Sequence, residues 1–152
     1  MSNIGLKTKL HQKCVELVNA KVEQAKNELA MLKEAMDAEG KESSADEQDA
    51  GRAMIQIEQE KANVIFEETQ KLKDILNKID VESVSKTIQS GSLVITNNGE
   101  FYISVSLGRV IVDEKTFLVI SIHSPIGAIL AGKTVGETFS FNDKNYKIEK
   151  IV

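Results

Sequence analysis

The residues of this chain best suited to chemistry are carboxylates. Between positions 34 and 49 stand Glu34, Asp37, Glu39, Glu42, Asp46, Glu47 and Asp49, with Lys41 the only base among them. That segment carries a net charge of −6 while the whole chain carries −4, so the remainder is close to +2. Clustered carboxylates repel one another, and a hard cation with oxygen ligands relieves the repulsion. Asp46, Glu47 and Asp49 are the candidate ligands, with Glu42 behind them. A second reading of the same residues is a solvated polar turn in which Ser44 or Asp46 caps the helix that follows.

Other motifs lead elsewhere. Gly127 to Thr134 reads GAILAGKT and matches the phosphate-loop pattern literally. A phosphate loop follows a strand and opens a helix, whose N-terminus holds the phosphates. Here the helix signal precedes the Gly-Lys-Thr, and Ala128 to Ala131 resemble one buried helical turn. The motif is read as a coincidence. His11 and His123 lie far apart, outside any metal-ligand spacing, and are read as packing or surface residues. Cys14 is the only cysteine. No disulfide can form within the chain, and a buried thiol in a reducing compartment is expected. Ser124 lacks the flanking glycines of a nucleophile elbow, so capping is the expected role.

The elements that position these residues fall into two halves. Before residue 80 there is no proline, and glycine occurs only at Gly5, Gly40 and Gly51. Leu10, Cys14, Val18, Val22, Ala25, Leu29, Leu32 and Met36 recur at steps of three and four, one stripe of a long helix. A second stripe is expected at Met54, Ile57, Ile65, Thr69, Leu72, Ile75 and Ile79, interrupted at Lys61. Two helices of about 33 residues, each about 50 Å long, pair as an antiparallel coiled-coil hairpin over residues 1–80. The acidic stretch falls at its turn, near residues 40–50.

After residue 80 the period becomes two. SLVIT and FYISVSL flank Asn97-Asn98-Gly99-Glu100, a tight-hairpin signal. TFLVISI reads as a third strand. TFSF and YKIEKIV flank Asn142-Asp143-Lys144-Asn145 as a closing hairpin. Between them SPIGAILAG reads as a short helix, with Ser124 as cap, Pro125 in its first turn and Gly132 at its end. The fold class is therefore α+β: a long antiparallel helical hairpin, then a small antiparallel sheet with one short helix over residues 81–152.

Composition narrows the function classes. Aromatics make up 5% of residues and tryptophan is absent, which argues against base-stacking platforms for nucleic acid. The net charge of −4 gives no bulk attraction to phosphate backbones. The start MSNIGLKTKL lacks the apolar core of a signal peptide, and no apolar run is long enough to span a bilayer. A cytoplasmic protein without membrane partner is expected.

The closing segment SPIGAILAGKTVGETFSFNDKNYKIEKIV, residues 124–152, is similar to that of the bacterial GreA/GreB transcript-cleavage factors. The shared pattern is Ser-Pro, a short helix ending in Leu-x-Gly-Lys, Val-Gly-Asp/Glu and a final strand pair. The preceding VISIHSP fits too, and the acidic hairpin fits in order, length and placement. SSADEQDAGRAMIQIEQEK resembles a divergent branch, without the family's Gly-Asp-Leu-x-Glu-Asn tip. The resemblance implies an FKBP-like C-terminal domain that docks on the rim of the RNA polymerase secondary channel, here around Ser124, Pro125 and Lys133. It implies a coiled coil that brings Asp46, Glu47, Asp49 and Glu42 to the polymerase active site. There they would help hold a shared Mg²⁺ while backtracked RNA is cut, with indirect contact to nascent RNA and no small-molecule substrate. The factor would have no catalytic residues of its own. A cleavage-silent inhibitor of the polymerase, or a coiled-coil adaptor, are the alternatives. Prolyl isomerase activity uses a pocket lined with aromatics; the aromatics of this half are Phe101, Tyr102, Phe117, Phe139, Phe141 and Tyr146, and several of them are expected to fill the core.

Overall fold

The structure, a computed structural model, describes residues 3–42 and 45–152, with side chains at 3–38 and 50–152. Two long helices come first, α1 (Asn3–Glu42) and α2 (Ala45–Lys78). They are followed by β1 (Leu93–Thr96), β2 (Gly99–Ile103), β3 (Gly108–Val112), β4 (Lys115–Ile120), α3 (Pro125–Leu130), β5 (Thr138–Phe141) and β6 (Lys144–Ile151). The architecture is the expected α+β one, a helical hairpin followed by a small sheet and a short helix. The chain forms two compact units, Met1–Glu16 with Asp74–Val152, and Leu17–Lys73.

The first unit is built on a six-stranded sheet of order β3-β4-β2-β1-β6-β5. All neighbours are antiparallel except β2 and β4, which run parallel from Phe101 opposite Leu118 to Ile103 opposite Ile120. The parallel pair exists because of β3, a strand that alternation did not reveal. It hairpins onto the outer edge of β4, which leaves β4 beside β2 in the same direction. Its turn is Asp113-Glu114, with φ of 51° and 65°. Two successive left-handed residues make the tight turn that matches strand twist. Asp-Glu lacks the glycine or asparagine that announces such turns in a sequence. Asn142-Asp143, with φ of 51° and 63°, makes the same turn in the expected closing hairpin.

Strand alternation splits the side chains between two faces. One face carries Val94, Phe101, Ile103, Ile120, Phe139, Tyr146 and Ile148, packed with Ile88 and with Ile126 and Leu130 of α3. Gly127 lets α3 come this close: an added Cβ would lie 2.0 Å from the Ser121 carbonyl oxygen. The other face carries Leu93, Tyr102, Val110, Phe117 and Val119, all buried. The start of α1 lies against it, as the His11–Tyr102 hydrogen bond of 2.7 Å and the Lys9–Asp113 ion pair of 3.1 Å show. Leu10 and Cys14 are fully buried there, and Leu76 of α2 is nearly so.

The second unit consists of the remaining helical segments. On α1 the expected stripe holds: Val18, Val22 and Ala25 are buried, and Leu29, Leu32 and Met36 are half-buried. On α2 the buried stripe differs from the expected one. Ala62 and Thr69 are buried, and Ile55, Gln59, Phe66 and Lys73 are half-buried. These six positions step by 4, 3, 4, 3 and 4, the spacing of a two-helix seam. Of the expected α2 residues, Thr69 is inside and Leu72 and Ile79 are half-buried. Met54, Ile57 and Ile65 are 70%, 52% and 54% exposed, and Ile75 is exposed as well. The most apolar stripe of α2 is thus not its buried one. Unbroken 3–4 spacing fixes the seam, and small or polar residues suit it where the helices come close. The Thr69 hydroxyl donates to the Phe66 carbonyl oxygen at 2.8 Å, so its burial costs no unmet hydrogen bond.

Candidate functional site

The acidic stretch sits where the two helices join. Glu42 is the last residue of α1, while Asp46, Glu47 and Asp49 lie in the first turns of α2. The side chains of these four candidates lie outside the described residues. Their positions along the helices still carry a physical argument. A helix N-terminus has a partial positive charge and favours carboxylates by about 0.3–1 kcal/mol each. Asp46 and Glu47 are therefore in a favourable place with or without a cation. Glu42 stands at the C-terminal end of α1, where the dipole opposes its charge. Helix stability does not explain an acid there. Glu34 and Asp37, earlier on α1, are exposed to solvent.

The Ser124 hydroxyl serves its own helix. The Ser124 hydroxyl accepts from the Gly127 N–H at 3.1 Å and donates to the Ser121 carbonyl at 2.7 Å. Pro125 follows at the first helical position, where its missing N–H costs nothing. Lys133 ties α3 to the preceding loop: its carbonyl accepts from the Ile88 N–H at 2.9 Å, and Gly132 N–H donates to the Ile88 carbonyl at 2.8 Å. The Lys133 N–H donates to Leu130 O at 3.1 Å, and the Thr134 N–H to Glu137 Oε2 at 2.6 Å. The three N–H groups of Gly-Lys-Thr that would cradle a phosphate are all spent. Helix α3 ends before the motif, which does not form a phosphate loop. Pro125 is exposed, and Ser124 and Lys133 are half-buried.

The remaining candidates have structural partners. Cys14 is fully buried, and burial pushes its thiol up to about 12, so it stays protonated and unreactive at neutral pH. His123 is exposed, and its backbone N–H donates to the Ser121 hydroxyl. His11 shares its hydrogen bond with the Tyr102 hydroxyl beneath the sheet. Burial lowers the His11 pKa, the Leu76 backbone opposes that shift, and nearby Lys7 adds to it. Burial raises the Tyr102 pKa, with Cys14 adding to the shift. Phe101, Phe139 and Tyr146 pack together in the core, with the Phe139 and Tyr146 rings stacked at 4.8 Å. Tyr102 and Phe117 are fully buried on the opposite face, which leaves Phe141 half-buried at the margin. All of these aromatics but Phe141 are buried in the core.

One feature that periodicity did not reveal is Lys7. It is 1% exposed, and its Nζ donates to the carbonyl oxygens of Ser83 at 3.1 Å and Val152 at 3.0 Å. Burial lowers its pKa, and the charge of Asp80 opposes the shift. It stands one helical turn before Leu10, on the stripe that runs to Met36. Its place on that stripe is the available signal, outweighed by its charge. Among the described residues no group of three or more His, Cys, Asp or Glu is placed to hold a metal ion. No described helix is long and apolar enough to cross a membrane.

No protein-family model matches the chain, and no curated protein does. Among solved structures the chain is similar to that of the transcription factor Gfh1, at 20% identity and a TM-score of 0.36 over 91% of this chain and 93% of that one.

Proposed function

We propose that this chain is a Gre-like transcription elongation factor that binds RNA polymerase at its secondary channel and promotes cleavage of backtracked RNA. The observation that carries the reading is the position of Glu42, Asp46, Glu47 and Asp49, together at the one junction of two helices of 40 and 34 residues. The likeness of residues 124–152 to the closing segment of the GreA/GreB factors supports it.

Carboxylates are hard oxygen donors and fit Mg²⁺, which keeps several waters and takes few protein ligands. Asp46, Glu47 and Asp49, with Glu42, would supply oxygens to an ion shared with the polymerase. Such an ion supplies an activated water and charge neutralisation at the cleaved phosphate. The chain's own residues orient and hold; they do not form covalent bonds to RNA. Docking falls to the sheet-bearing unit around Ser124, Pro125 and Lys133.

The test is a backtracked elongation complex incubated with the purified chain and Mg²⁺, with RNA length as readout. Shortened RNA is expected. Replacing Asp46, Glu47 and Asp49 together by Ala removes the shortening and leaves polymerase binding in place. A chain that binds no polymerase would end this reading and favour a coiled-coil adaptor. The missing Gly-Asp-Leu-x-Glu-Asn pattern favours a second reading, a cleavage-silent regulator. In that case the chain binds, slows elongation and never shortens the RNA.

A further inference from the structure

The second unit leaves one face of α2 open. Met54, Ile57, Val64 and Ile65 are all more than half exposed, and Leu72 is half-buried. At about 100° per residue, Ile57, Lys61, Val64, Ile65, Glu68 and Leu72 share an arc of about 100° on the helix. That arc lies about a third of a turn from the buried seam of Ala62, Phe66 and Thr69. It is a second stripe, separate from the one that pairs α2 with α1.

The order of residues along this stripe is symmetric. Ile57 precedes Lys61, the pair Val64-Ile65 follows, then Glu68, then Leu72. Laid antiparallel on a copy of itself, with the two-fold axis between Val64 and Ile65, every position meets a suitable partner. Ile57 faces Leu72 of the second copy, and Val64 faces Ile65. Lys61 faces Glu68, twice. An unrelated partner would demand no such symmetry, whereas a closed dimer requires a self-complementary patch. We infer that this face of α2 docks against the same face of a second copy of this chain, antiparallel and about a two-fold axis at Val64-Ile65.

Two further observations fit this occupant. Among the described residues Lys61 forms an ion pair only with Glu58, at 3.5 Å between two exposed side chains, a pairing of the kind worth about 0–1 kcal/mol. It can change partner at small cost. The stripe also borders a groove between the two helical segments, lined by Lys21 and Glu28 on α1 and by Lys61 and Ile65 on α2. A third helix seated beside such a groove packs at ordinary interhelical distance, about 8–10 Å. The contact from Ile57 to Leu72 spans about 24 Å of helix, a small interface of the class that associates weakly and reversibly.

Sedimentation equilibrium of the full chain, from low to high micromolar concentration, tests the inference. The expected mass rises from one chain to two. Lys61→Glu and, separately, Glu68→Lys each put like charges in both facing pairs and weaken the dimer by about tenfold or more. The decisive arm mixes these two variants. The glutamate introduced at position 61 of one chain then faces the lysine introduced at position 68 of the other. The unchanged Glu68 of the first faces the unchanged Lys61 of the second, so a heterodimer returns at wild-type concentrations. Helical circular dichroism of both variants stays at the wild-type level, since each changes one exposed side chain. A wild-type chain monomeric throughout the range overturns the inference. So does a dimer that ignores the charge changes, or variants that stay monomeric when mixed.

Discussion

The sheet-bearing unit and the helical unit bury their side chains with different materials. The first uses aromatics and large aliphatics on both faces of a sheet: Phe101, Phe139 and Tyr146 under α3, Tyr102 and Phe117 on the other face. Each large aromatic removes about 150–250 Å² from water. The second holds a single seam, whose buried positions are Val18, Val22, Ala25, Ala62 and Thr69. It leaves Met31, Met54, Ile57, Val64 and Ile65 exposed. The first unit has the core that holds a fold, while the second has little core and much apolar surface. That surface is what a partner can use.

Truncations read this contrast most directly. Phe117→Ala removes a fully buried ring and should cost about 3–5 kcal/mol by urea denaturation. Val22→Ala removes two methyl groups from the helical seam and should cost about 1–2 kcal/mol. Equal losses would erase the distinction between a deep core and a thin seam.

A smaller effect is expected from pH, at His11 in the sheet-bearing unit. The His11 pKa lies below its ordinary 6.5 in the folded chain, so folding favours the neutral ring. The associated stability is present above pH 6.5 and is lost as pH falls through and below that value. Melting temperature should therefore drop on acidification, and His11→Asn should flatten the drop. An unchanged slope would place the acid sensitivity elsewhere.

The smallest effects belong to the helix junction. Asp46→Asn should destabilise α2 by about 0.3–1 kcal/mol, whereas Glu42→Gln should leave α1 unchanged or slightly more stable, because the dipole has opposite sign at the two ends. Thermal melts at low salt, followed by helical circular dichroism, separate them. If both variants lose stability equally, Glu42 has a structural partner and its functional reading weakens.

Much of this architecture is legible in the residues. The α1 stripe from Leu10 to Met36 keeps its spacing because one face of a helix can reach its partner only every three or four residues. Ser124, Pro125 and the short helix after them are equally readable, since capping depends on a few adjacent groups. The α2 stripe is only partly so, because hydrophobicity singles out Met54, Ile57 and Ile65 while continuous spacing chooses Gln59, Ala62 and Phe66. Strand β3 escapes notice because Asp113-Glu114 adopts a glycine-like turn. Of the candidate site, the position of the acids at the helix junction can be read from the sequence, and so can the capping role of Ser124.

The sequence by itself determined the succession of two long helices and then strands, the helix stripe of α1, most of the strands and the place of the acidic run. These follow from local periodicity and local turn chemistry. Only the tertiary structure decided which face of α2 is buried, that β2 and β4 lie parallel, and that Lys7 sits inside on two backbone carbonyls. Those outcomes depend on groups far apart in the chain, whose meeting no local pattern encodes.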